Sequence, residues 1–294
     1  MRAHSDSANP AATSLTTSSA GAPAAAILSA ASIRSSCQAS PAAPLTAAIA
    51  IELVAETGST NADLLARLEQ LDGPLLLIAQ HQNAGRGRAG RSWLSAPGAG
   101  LTFSLAWKFR SPLHSLMGLP LAVGVALAES MAALGLQVTL KWPNDVLKDG
   151  HKLAGILIET RNVADQNRSA STWAVIGIGI NLTVPDALEM QIGHAVAAAP
   201  QLAQMERHQL MATLLGHLAQ ALTAFDEAGF SAFSARWNGF DAYQGQSVTI
   251  TDRGQILHEG RASGVDALGR LLLDGPGGRI AIVSGDVTLR VKQG

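Results

Sequence analysis

One cysteine, Cys37, in 294 residues leaves no partner for an intrachain disulfide and no thiolate set for a metal cluster. Aromatic side chains are scarce at 4%, with one tyrosine, so the core must be built from aliphatic residues and the abundant alanine. Excess charge is missing too. The formal net charge is −1, so no global field draws nucleic acid to the chain. No apolar run is long and uninterrupted enough to cross a membrane. No Gly-Lys pair occurs anywhere, which excludes a P-loop.

Against that background residues 82–93, Gln-Asn-Ala-Gly-Arg-Gly-Arg-Ala-Gly-Arg-Ser-Trp, stand out. Gly85, Gly87 and Gly90 alternate with Arg86, Arg88 and Arg91 after the apolar run Leu75–Ala79, which reads as a buried strand. Ser95-Ala-Pro-Gly-Ala-Gly100 follows and cannot be helical. The stretch is therefore expected to be a mobile, cationic loop. Glycine permits close backbone approach to a ligand, and arginine offers forked donors suited to phosphate, so the loop should take an anion whose arrival orders it. Gly85-x-Gly87-x-x-Gly90 matches a dinucleotide fingerprint only formally. No helix opens at Gly90, and no Asp or Glu occurs between Arg91 and Ala128 to hold a ribose.

Along the chain, residues 1–44 are Ala/Ser/Thr/Pro-rich with almost no charge, and are expected to be a disordered tail. Order should begin near Leu45. Ile49–Val54 reads as a strand, and Gly58-Ser-Thr-Asn61 precedes leucines at helical spacing. Ser59 or Thr60 suits the N-cap, a role compatible with ligand contact, because a helix N-terminus has free N–H groups beside those hydroxyls. Leu101–Trp107 alternates as a strand does, and Leu113–Leu134 predicts one long, mostly buried helix. Lys141-Trp-Pro-Asn-Asp145 ends the next strand, and Asp149-Gly150 turns it into a hairpin returning through Lys152–Glu159. That hairpin gathers Lys141, Lys152 and Asp145, a set suited to activated-carboxylate chemistry: lysine for carboxylate and phosphate oxygens, Asp145 for a metal or an attacking amine. Trp173–Asn181 is a buried strand whose glycines let something pack on its backbone. Helices are expected at roughly 205–228 and 230–238, then short strands and turns from Gly245 onward that form a small β-barrel, with a boundary near Phe240.

In this order, Gly58-Ser-Thr-Asn61, Gln82 with Gly85–Trp93, Lys141–Asp145, Lys152–Glu159 and Gly177-Ile-Gly-Ile-Asn181 closely resemble the biotin protein ligases, over about residues 50–294. The resemblance implies an α+β fold: a mixed sheet flanked by helices, akin to class II aminoacyl-tRNA synthetases, as a catalytic domain over 45–240, then an SH3-like barrel over 241–294. It implies two steps, from biotin and Mg-ATP to biotinyl-5′-AMP, then to a biotinylated lysine on the biotin carboxyl carrier protein of acetyl-CoA carboxylase. Ser59, Thr60 and Gln82 would bind the ureido ring, with Asn61 in the same motif. Arg86 and Arg88 would close over the adenylate, with Gly87 in that loop and Arg91 ordering it. Lys152 would bridge the biotin carboxylate and the α-phosphate, and Asn144 and Asp145 would sit by the phosphates, Mg2+ or the incoming lysine. Gly85 and Gly155 would lie against biotin and Asn181 would reach toward adenine. Trp93 is either a lid or an anchor for the loop. Some members carry an N-terminal helix-turn-helix. Residues 1–44 lack an amphipathic helix pair, so the monofunctional form is expected: cytoplasmic, off DNA and membranes, monomer or homodimer. A lipoate ligase, a repressor and a non-catalytic module are the competing classes, and the Arg loop combined with the lysine hairpin favours biotin.

Overall fold

The computed structural model describes residues 28–164, 170–252, 254–285 and 287–292. Order begins earlier than expected. Helix α1, Ala30–Gln38, is capped by Ser29, whose hydroxyl accepts from the Ser32 N–H while Ser32 reciprocates at the Ser29 N–H. Its Ile33 and Cys37 are buried, and α2, Ala43–Thr46, follows. The expected tail is thus corrected for residues 30–44; residues 1–27 of it lie outside the described residues. An isolated helix this short is marginal in water, so the chain carries little local signal for it. Burial of one i, i+4 apolar pair against a later helix holds it.

Strand β1, Ala50–Thr57, runs parallel to β2, Leu75–Gln82, across helix α3, Thr60–Arg67. Then come β3, Gly100–Phe109, and α4, Leu119–Ala133. The single helix expected over 113–134 is broken because Gly118 takes φ 82° where Phe230 packs too close for a Cβ. The hairpin forms as read. It comprises β4, Thr139–Lys141, β5, Asp145–Lys148, and β6, His151–Ala164, with Asp149 and Gly150 at positive φ in the turn. Strand β7, Ala170–Asn181, leads to two short helices that sequence reading passed over, α5, Asp186–Ile192, and α6, Pro200–Ala203. Helices α7, Arg207–Ala228, and α8, Ser234–Phe240, close this part.

The first sheet has the order β1-β2-β3-β7-β6-β5-β4, with only β1 and β2 parallel. Alternation along β2 explains the layers. Leu76 and Ile78 join a core with α1, α4 and α7 on one face, while Leu75 and Leu77 pack with Leu64 of α3 and Leu68 just after it on the other. After α8 come β8, Ser247–Asp252, β9, Gln255–Val265, β10, Leu271–Gly275, β11, Gly278–Ile282, and β12, Thr288–Val291. They form an antiparallel sheet of order β11-β10-β9-β8-β12, in keeping with the expected SH3-like unit. Its docking is specific: the buried Trp142 indole donates to the Gly269 carbonyl at 3.1 Å. Among the described residues no helix is long and apolar enough to cross a membrane.

Candidate active site

The β1–α3 turn brings one group of polar side chains together. Ser59 is the N-cap, its Oγ accepting from the Ala62 N–H at 3.4 Å. Thr60 donates from its backbone N–H to Gln82 Oε1 at 2.8 Å, and its Oγ1 lies 3.0 Å from the same oxygen. Asn61 donates to Glu159 Oε2 at 2.9 Å. Ser104, completely buried, joins Thr60 Oγ1 to Asn61 Oδ1 at 2.6 Å each way. Sequence reading missed Ser104 and Glu159. A serine inside the mostly apolar Leu101–Trp107 run, two residues after Thr102, was the available signal, since a buried hydroxyl needs partners. Gly177 makes room for this group, because a Cβ there would overlap the Asn61 amide.

The Arg loop is folded back on itself. Gly87 N–H donates to Arg91 O at 2.6 Å, Trp93 N–H to Gly85 O at 2.9 Å, and Arg86 pairs with Ser92 as an antiparallel bridge. Ala89 and Gly90 make the reversal at φ 53° and 71°. Arg88 donates to Asn144 Oδ1 at 3.0 Å and to the Gly285 carbonyl, and Arg91 donates to Thr288 Oγ1 at 3.2 Å. Two of the three arginines therefore reach the C-terminal unit, Arg88 at the Gly285 loop and Arg91 at β12, which sequence spacing could not show. The Trp93 indole lies on the backbone of β6 and β7: a Cβ on Gly179 would overlap it, and its ring is 3.3 Å from a Cβ built on Gly155. Trp93 is thus packed on the floor that the resemblance gives to biotin at Gly155. Gly85 does not lie on that floor. It fits under the Trp93 backbone, beside the Gln82 amide, and lines the groove on the other side of the loop.

The hairpin supplies the charges. Register sets Asp145 opposite both Lys141 and Gly155, and Lys152 Nζ lies 2.6 Å from Asp145 Oδ1. That approach is poorly directed for a hydrogen bond, and Oδ1 has no other donor. Burial pushes the Lys141 ammonium below the ordinary lysine range. Asp145 opposes the shift, while Lys152, Arg290 and Arg91 add to it. Asn144 donates to Ile156 O at 2.9 Å, which fixes it beside Arg88. Asn181 lines the site, but its amide donates to Ala197 O at 3.2 Å, so here it tethers the 194–199 segment.

These groups share one cavity of about 610 Å³. Arg86, Arg88, Arg91, Lys141, Lys152 and Arg290 line it against one carboxylate among the described residues, Asp145. Arg290, like Tyr243 and Thr288, comes from the C-terminal part and was not anticipated. The cavity suits a ligand with a neutral hydrogen-bonding head and a polyanionic partner. Among the described residues no three His, Cys, Asp or Glu side chains gather to hold a metal by themselves.

Residues 52–181 match the model of the biotin/lipoate A/B protein ligase family, and residues 243–290 that of the biotin protein ligase C-terminal domain. The chain is 33% identical over 235 residues to the bifunctional ligase/repressor BirA of Escherichia coli, covering 79% of this chain and 71% of that one. It is 35% identical over 258 residues to the biotin–[acetyl-CoA-carboxylase] ligase of Mycobacterium tuberculosis, covering 81% and 88%. A solved structure, the biotin protein ligase of Aquifex aeolicus in complex with biotin and ATP, superposes with TM-score 0.67 at 26% identity, covering 83% of this chain and 99% of that one.

Proposed function

The chain belongs to the biotin protein ligase family, and from that premise we propose that one cavity serves both half-reactions. The enzyme activates biotin with ATP to biotinyl-5′-AMP, then transfers the biotinyl group to a lysine of a carboxyl carrier protein. In the first step a biotin carboxylate oxygen attacks the α-phosphorus and the bond to pyrophosphate breaks. Lys152 meets both anions, lowering their repulsion as the P–O bond forms. Arg86 and Arg88 hold the phosphate side, and Arg91 braces the loop. Thr60 and Gln82, with Ser59 and Asn61 behind them, take the ureido ring. In the second step the carrier's amine attacks the acyl carbon, the bond from that carbon to the bridging oxygen breaks, AMP leaves with the bridging oxygen, and the amine's proton passes to solvent.

Among the described residues Asp145 is the one carboxylate lining the cavity, so it receives either the Mg2+ that accompanies ATP or the attacking amine. Bound Mg2+ would neutralise polyphosphate charge. The acceptor is assigned as the carrier of an acyl-CoA carboxylase and the location as the cytoplasm. A formal net charge of −1 gives no support to a DNA-binding role. Functionally, residues up to about 240 form the ligase unit and 241–294 a closing unit.

The observation that carries this reading is the sharing of one cavity by the neutral Thr60–Gln82 end and the cationic Lys152–Asp145 end. Pyrophosphate release should depend on biotin and not on lipoate, and mass spectrometry should find biotin on a carrier lysine. Lys152→Met should slow adenylate formation by at least about tenfold, equivalent to roughly 1.4 kcal/mol. Release driven by lipoate instead would make this a lipoate ligase; full activity of the Met variant would remove Lys152 from the site.

A further inference from the structure

The polar group around Thr60 has fewer protons than contacts. Thr60 Oγ1 lies 3.0 Å from Gln82 Oε1 and 2.6 Å from Ser104 Oγ, and Ser104 Oγ lies 2.6 Å from Asn61 Oδ1. Both amides are oriented by other bonds. Gln82 Oε1 accepts the Thr60 N–H at 2.8 Å, while Asn61 Nδ2 donates to Glu159 Oε2 at 2.9 Å and to Leu157 O at 3.3 Å. The amide oxygens that face the hydroxyls therefore only accept. Three oxygen–oxygen contacts must share the two protons of Thr60 and Ser104.

The shortest contacts claim them, because two oxygens at 2.6 Å repel without a proton between them. Ser104 donates to Asn61, and Thr60 donates to Ser104. That leaves Thr60 Oγ1 and Gln82 Oε1 facing each other, lone pair to lone pair, at the edge of the cavity. We propose that Ser104 is a positioning residue that determines specificity: by taking the Thr60 proton it leaves the second lone pair of Gln82 Oε1 open, beside the lone pairs of Thr60 Oγ1, to select a ligand head bearing an N–H. The assignment rests on the biotin reading above, since a ureido ring carries N–H groups and a dithiolane ring carries none. Asn61 and Glu159 fix the direction of the chain from its far end. Removing the Ser104 hydroxyl lets Thr60 donate to Gln82 Oε1, which then accepts both the Thr60 N–H and the Thr60 O–H and has no lone pair left for the ligand.

The test compares wild type, Ser104→Ala and Ser104→Thr in pyrophosphate release with biotin and with biotin methylated at either ureido nitrogen. Ser104→Ala should raise KM for biotin by about tenfold, the size of one lost hydrogen bond to a polar head, with kcat and KM for ATP within about twofold. Discrimination against the N-methyl isomer that wild type rejects more strongly should shrink by a similar factor, and Ser104→Thr should restore it. The discrimination ratio is taken within each protein, so partial loss of folded enzyme does not change it. A purely structural serine would alter thermal stability and leave the ratio alone, and that result overturns the assignment. A wild type that releases no pyrophosphate with biotin overturns the biotin reading itself, and this assignment falls with it.

Discussion

Lys141 shows how one residue can link the site to pH. Burial holds its pKa down in the free protein, and Lys152, Arg290 and Arg91 reinforce this against the pull of Asp145. A bound polyphosphate favours the ammonium and raises that pKa again. Between the depressed free value and the raised bound value, binding must take up a proton, so affinity for ATP should fall as pH rises through that window. Calorimetry in buffers of different ionisation enthalpy should show proton uptake in wild type and none in Lys141→Met; uptake that persists in the variant would place the proton elsewhere. At this scale the sequence was partly legible. Lys141, Asp145 and Lys152 could be grouped because a hairpin turn is local chemistry. Ser104, Glu159 and Arg290 could not, because each is defined by a neighbour far along the chain.

Two elements behaved differently from their sequence signals. The Arg loop read as a glycine-rich loop waiting for its ligand. In the fold its backbone is already cross-bonded, and Arg88 spans from Asn144 to Gly285. Arg88→Gly removes these anchors and adds chain entropy, of which ordering costs about 1–2 kcal/mol per residue. This variant should still form biotinyl-AMP but release it early, seen as biotin on bystander lysines and as weaker retention of the adenylate. Proteolysis near Arg86–Arg91 should be faster than in wild type, and biotin with ATP should protect the variant less. Retention equal to wild type would deny the loop its lid role. Helix α1 is the opposite case, an unpromising segment made stable by its surroundings. Ile33→Ala should lower unfolding free energy by about 2–5 kcal/mol in urea, where a disordered tail would show no change.

At the scale of the whole molecule, the two sheets act on one cavity. The small unit docks through Gly269 on Trp142, and it presents Tyr243, Thr288 and Arg290 to the ligand space. A merely carrier-binding appendage would not need a cation there. Arg290→Ala should therefore slow biotin-dependent pyrophosphate release about tenfold, before any carrier is present, with little change in melting temperature. If adenylate formation is normal and only transfer to the carrier falls, the C-terminal unit serves the acceptor alone.

By itself the sequence determined what local chemistry determines. It set the strand-to-loop run before Gly85, the Ser59 cap, the Asp149-Gly150 hairpin and the short-strand texture after Gly245, because each depends on neighbours within a few residues. It also told that glycines at 177 and 179 admit something against the backbone. Only the tertiary structure decided what that is: the Asn61 amide at one and the Trp93 indole at the other. The same holds for the early start of order at α1, the arginines that reach Gly285 and Thr288, and the shortage of protons around Ser104. Each arises where elements distant in sequence converge, and close packing there fixes contacts that no periodicity or spacing encodes.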